Sequence, residues 1–72
     1  MIDLGKRFKL VRKNFGFTQK QVADGLQISE QAYQRYEYGK VVPSAIVLID
    51  LADFYGISLD YLVGRSDVAE RR

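Results

Sequence analysis

Apolar residues recur at helical spacing along the whole chain. Leu4, Phe8, Val11 and Phe15 follow one another at i, i+4, i+7 and i+11, one stripe of a helix whose other face carries Lys6, Lys9 and Lys13. Gly16 stands where a left-handed residue would stop that helix. Thr18 and Gln21 form a Thr-x-x-Gln capping box, with Phe17 and Val22 at the flanking staple positions. A second helix therefore begins at Thr18 and ends near Leu26, with Val22, Ala23 and Leu26 inward. Ser29 opens a third helix, stapled by Ile28 and Tyr33 and closed by Gly39. Pro43 and Ser44 open a fourth that stops at Gly56. Only Asp50 and Asp53 interrupt its apolar circumference, which predicts the central helix of the core. Ser58 caps a short fifth helix, with Ile57 and Leu62 as its staple and Gly64 as its stop. No strand-type alternation and no repeat is present. Residues 65–72 have no pattern, so the expectation is one domain at 1–64 followed by a flexible C-terminal tail.

The result is an all-α, compact five-helix domain. Only about three residues, with Gln27 central, join the second and third helices. A connection that short suits two crossed helices, the helix-turn-helix arrangement, rather than a wide antiparallel loop.

Composition removes several classes of function. With no Cys and no His among 72 residues, disulfides, the usual zinc sites and Ser–His–Asp or Cys–His nucleophile systems cannot be built. No enzyme constellation remains, and no metal or cofactor is expected. The longest uncharged run, Val41 to Ile49, is interrupted by Pro43 and is too short to span a bilayer. Asp3 and the lack of an apolar leader segment argue against a signal peptide, so a cytoplasmic protein is expected. Charge is uneven although the net is only +2. Residues 1–20 carry six cations against Asp3 alone, whereas residues 50–72 carry five acids against three arginines. A basic front suits an anionic partner.

Particular stretches sharpen this picture. Leu4–Arg12, Gly16–Ala23, Ile28–Lys40, Pro43-Ser44 and Leu48–Leu62 together resemble the helix-turn-helix family of phage Cro and C1-type repressors, also called the XRE family. The Thr-Gln cap, the Tyr-Glu-x-Gly end of the third helix and the Gly-Ile-Ser-Leu-Asp-Tyr-Leu tail occur at that family's spacing. The resemblance implies a lambda-repressor-like five-helix domain that binds operator DNA, usually as a dimer. Three departures stand out. Gln27 occupies a turn position where the family usually has Gly, so it either adopts a left-handed conformation at about 1 kcal/mol or the turn is remodelled, with Gly25 as a source of slack. Tyr33 replaces a smaller aliphatic residue. Ile46 and Val47 replace polar ones.

On the third helix, Glu30, Gln31, Gln34 and Arg35 fall within an arc of about 140°. Gln can pair bidentately with adenine, Arg with guanine, and Glu can accept from cytosine N4, although any solvated helix face can look alike. The resemblance implies that this face contacts bases. It also places Thr18 and Gln19, at the start of the second helix, on a phosphate. Tyr38 and Lys40 lie just past the third helix, where they can touch the DNA backbone. Arg12 and Glu37 border apolar stripes, and the resemblance implies that they pair, partly buried; Arg12 on a phosphate is the alternative. The Phe and Tyr residues, at helical spacing, are read as core rather than as stacking platforms for single strands. For the implied homodimer, Val47, Phe54, Ile57, Leu59 and Val63 are the apolar candidates. The expected function is a double-stranded DNA-binding transcriptional regulator, a repressor, with the third helix in the major groove. An antitoxin or protein-interaction module, using Ile46, Val47 and Phe54 as a partner patch, is the rival reading.

Overall fold

The computed structural model describes residues 3–70. Five helices follow in order: α1 (Leu4–Asn14), α2 (Gln19–Leu26), α3 (Glu30–Glu37), α4 (Ala45–Tyr55) and α5 (Leu59–Leu62). Each opens on a side-chain oxygen that accepts a backbone N–H of the first turn, supplied by Asp3, Thr18, Ser29, Ser44 and Ser58 in turn. The Thr18 box is closed both ways: Gln21 N–H donates to the Thr18 hydroxyl at 3.1 Å, and Thr18 N–H donates to Gln21 Oε1 at 2.8 Å. These caps satisfy donors that helices of only one to three turns would otherwise leave open.

The core gathers Phe8 and Val11 from α1, Val22 and Ala23 from α2, Tyr33 from α3, Leu51, Ala52 and Tyr55 from α4, then Ile57 and Leu62. α1 and α2 both pack on α3, and α4 closes the far side against α2 and α5. Close approach is enabled at two glycines. A Cβ on Gly5 would overlap the carbonyl oxygen of Glu37, so α1 and α3 touch backbone to backbone there. A Cβ on Gly25 would run into the Phe54 ring, which fills that place instead. Gly25 therefore lies inside α2 as a packing surface and does not loosen the turn. The turn itself is made by Gln27 in the left-handed region, at φ 59° and ψ 40°.

Several sequence-based expectations are corrected. α4 is not enclosed: Leu51, Ala52 and Tyr55 are buried, but Ile46 is 71% exposed and Ile49 also faces outward. Five helices of this length leave no element to cover that side. Phe15 is exposed at the end of α1, its ring against Tyr55 at 5.1 Å between centroids, rather than a member of the buried stripe. Among the dimer candidates, Ile57 is 4% exposed because it inserts into the core between α4 and α5. Phe54 packs against Phe17 at 5.0 Å and Tyr55 at 5.1 Å, and Val47 rests against the core. Leu59 is exposed and Val63 half-buried. Residues 65–70 form no helix, but they fold back over α5: Ser58 N–H donates to the Ala69 carbonyl at 2.8 Å and the Ser58 hydroxyl to that of Val68 at 3.2 Å. Positions 71–72 of the expected tail lie outside the described residues.

The left-handed Gln27 gives a direct prediction. Glycine relieves a strain of about 1–2 kcal/mol and loses part of it to chain entropy. Gln27→Gly is expected to stabilise by about 0.5–1 kcal/mol, a rise of about 3–6 °C in Tm. A melt followed by circular dichroism checks this, and a lower Tm would contradict the strain argument.

Candidate nucleic-acid interface

The interface is organised around a buried ion pair. Arg12 leaves α1 and meets Glu37 at the end of α3 as a two-pronged fork, Nε to Oε2 at 2.8 Å and Nη2 to Oε1 at 3.0 Å. Its Nη1 donates to the Phe17 carbonyl at 2.9 Å. One guanidinium thus ties α1, the loop before α2 and α3 together. The two residues are 9% and 6% exposed. Three of the five N–H donors of Arg12 are engaged inside the protein, which favours the structural role over the phosphate contact that the sequence left as the alternative.

The surroundings decide the charge states. Burial works to raise the Glu37 carboxyl, but hydrogen bonds from Arg12 and Gln19, and the nearby Tyr33 phenol, outweigh it and hold the group below its ordinary value. The Arg12 guanidinium is held above its ordinary value, chiefly by its hydrogen bond to Glu37, with burial opposing. Burial pushes the Tyr33 phenol far up and the Tyr55 phenol up to about 12. Neither hydroxyl has a well-aligned hydrogen-bond partner among the described residues. By sequence Tyr33 is a staple partner of Ile28 and both tyrosines are core residues, with no polar role assigned to their hydroxyls. The signal available was Tyr33 in an aliphatic position, since a phenol there needs polar company.

Gln19 joins this centre to the surface. Its Nε2 donates to Glu37 Oε1 at 3.3 Å and lies 3.5 Å from the Tyr38 hydroxyl. Its Oε1 accepts from Gln34 Nε2 at 3.0 Å, and the same Gln34 nitrogen lies 3.5 Å from Glu30 Oε2. The N-terminus of α2 and the α3 side chains are therefore one hydrogen-bonded surface. On it Glu30, Gln31 and Arg35 are exposed and Gln34 is half-buried. Thr18, Tyr38 and Lys40 are exposed beside them, the first at the head of α2 and the others beyond α3. The unpaired N–H groups of the first turn of α2 add a positive dipole end to this side.

Arg7 lies apart from this surface and its role was not legible. Its guanidinium donates to the Tyr61 carbonyl at 2.6 Å and 3.1 Å and to that of Leu62 at 3.3 Å, and it sits 4.8 Å from the centre of the Tyr61 ring. It closes the C-terminal end of α5 on α1. Lys6, Lys9 and Lys13 are all exposed.

The ion pair sets a pH and mutational expectation. Because Glu37 is lowered, its contribution is complete above the ordinary carboxylate range, near pH 4.3, and is lost as the pH falls through its folded value. Removing one partner of such a buried pair costs about 3–5 kcal/mol. Glu37→Ala is expected to lower Tm at pH 7 by more than about 10 °C, with the difference from the parent shrinking below about pH 4. Melts across pH check this; a Glu37→Ala protein that melts like the parent at pH 7 would overturn it.

Residues 8–62 match the model of a helix-turn-helix family. The HTH-type transcriptional regulator ImmR of Bacillus subtilis is 36% identical over 70 residues, covering 97% of this chain and 55% of that protein. The cryptic phage CTXphi transcriptional repressor RstR of Vibrio cholerae is 43% identical over 64 residues, covering 89% and 57%. A crystal structure of a transcriptional regulator from Listeria innocua superposes with a TM-score of 0.76 at 25% identity, covering 96% of this chain and 64% of that one. The chain spans a little over half the length of these curated relatives. The match across α1 to α5, with the three-residue turn between α2 and α3, places the chain in the helix-turn-helix family of the Cro/C1 type.

Proposed function

We propose that this chain is a sequence-specific double-stranded DNA-binding transcriptional regulator that represses by occupying a promoter, with no catalytic role. One observation carries the reading: the exposed polar face of α3 and the N-terminus of α2 are hydrogen-bonded into one surface through Gln19 and Gln34. α3 enters the major groove, with Gln31 and Arg35 among the base readers, Glu30 beside them and Gln34 at the inner edge. Thr18, the backbone N–H of Gln19 at the head of α2, Tyr38 and Lys40 hold the DNA backbone at the two flanks. Because one recognition helix covers only half an operator, the working form is a homodimer on a near-palindromic site. Of the sequence candidates, Leu59 and Val63 remain outside the core for that contact, with the exposed Ile49 of α4 lining the same groove as Leu59. Among the described residues no helix is long and apolar enough to cross a membrane, and the cytoplasm is the compartment this reading requires.

A second reading, a module that binds a protein partner such as a toxin, has the 71% exposure of Ile46 in its favour. Phe54, used inside the fold, does not serve it. Stoichiometric assembly with a protein partner, blocked by Ile46→Asp while DNA binding persists, would favour it.

Two measurements test the DNA reading. Gln31→Ala and Arg35→Ala are expected to cost about 1–3 kcal/mol on the selected operator and little on random duplex, whereas Lys40→Ala weakens both alike and reduces the salt slope by about one. Equal losses on both DNAs for the α3 variants would sink the assignment. Half-sites are expected about one helical turn apart, and inserting about five base pairs between them should reduce binding to the half-site level. Tolerance of the insertion would rule out the dimer.

A further inference from the structure

The hydrogen bonds around Gln34 fix more than its position. Glu37 is an ionised carboxylate held by Arg12, and a carboxylate only accepts. Gln19 must therefore turn its Nε2 toward Glu37, which puts its Oε1 toward α3. Facing that oxygen, Gln34 must present its own Nε2, and this nitrogen's second hydrogen points toward Glu30 Oε2. One donor of the Gln34 amide is thereby held by Gln19 at 3.0 Å, and the other faces the Glu30 carboxylate at 3.5 Å. Among the described residues no hydrogen bond ends on Gln34 Oε1. Gln31, exposed and outside this chain of bonds, keeps both a donor and an acceptor for bidentate pairing with adenine; Gln34 does not.

We propose that Gln34 reads DNA only as a hydrogen-bond acceptor, through Oε1, and so selects a base pair by an exocyclic amine, adenine N6 or cytosine N4, with Gln19 as the positioning residue that sets this polarity. Those two amines are the donors that base pairs offer in the major groove. A guanine or thymine keto oxygen, or a purine N7, at the same place would face an oxygen and be rejected. The specificity at this position is thus set by the buried pair through two successive amides. The inference rests on the reading of α3 as the base-reading helix.

The test uses the whole chain and atom-substituted DNA. Selection from a random duplex pool with the parent and with Gln34→Ala identifies the base pair whose preference Gln34 carries. At that pair the exocyclic amine is replaced by hydrogen, or the purine N7 by carbon, one change per duplex. Loss of the amine is expected to weaken the parent about tenfold, the size of one hydrogen bond, and to weaken Gln34→Ala no further. Loss of N7 should have no Gln34-dependent effect. In Gln19→Leu, which frees the amide to rotate, the amine effect should shrink to under about threefold while Tm stays near the parent's. A Gln34-dependent loss on removing N7, or an undiminished amine effect in Gln19→Leu, would overturn the proposal. If Gln31→Ala and Arg35→Ala alter base preferences and Gln34→Ala alters none, the proposal fails alone. If the parent enriches no duplex, the DNA-binding reading fails with it.

Discussion

Arg12 and Glu37 sit where α1, the entry to α2 and the end of α3 converge, and the fork between them at 2.8 Å and 3.0 Å imposes three constraints. It neutralises two charges that the small core could not hold singly. It fixes the last turn of α3 against α1, a contact close enough that Gly5 has no room for a side chain. It also provides the buried ionised acceptor that orients the Gln19 amide and, through it, that of Gln34, which faces the Glu30 carboxylate as well. The apolar residues around it fill volume. The pair decides how α3 is held and what it offers outward.

Buried pairs of this kind are poor sources of net stability, since the cost of removing both charges from water roughly offsets their attraction. Folding is favoured elsewhere, by the side-chain caps of five short helices and by the aromatic packing of Phe17, Phe54 and Tyr55 over Gly25. The strained turn at Gln27 and the buried hydroxyls of Tyr33 and Tyr55, neither with a well-aligned partner among the described residues, work against it. Both costs fall at the α2–α3 junction or beside the ion pair, the places that set the recognition surface.

Much of this was legible in the order of residues. The capping positions Thr18, Ser29, Ser44 and Ser58 and the stops at Gly16, Gly39, Gly56 and Gly64 are local chemistry, so helix boundaries could be read within a residue or two. The family resemblance of the same stretches carried the placement of the site. What could not be read depends on contacts between segments far apart. Ile57 and Leu59 look alike in sequence, yet one enters the core and the other is exposed, because α5 is a single turn whose rotation is set by α1 and α4. α4 is apolar all round, but nothing local says that its Ile46 and Ile49 side is left open. Arg7 reads as one more cation until α5 presents its carbonyls to it, 54 residues away. The direction of the Gln34 amide needs the whole path from Arg12.

The central claim is that the buried pair specifies the reading surface more than it stabilises the fold. Replacing both charges together, Arg12→Met with Glu37→Leu, separates the two roles. The account predicts a protein that melts within about 5 °C of the parent, since a well-packed apolar pair is often as stable as the ion pair it replaces. Its operator-to-random affinity ratio should nevertheless fall by about tenfold or more, because Gln19 and Gln34 lose the carboxylate that orients them. A double variant that keeps the parent's ratio, or one that fails to fold, would contradict the claim.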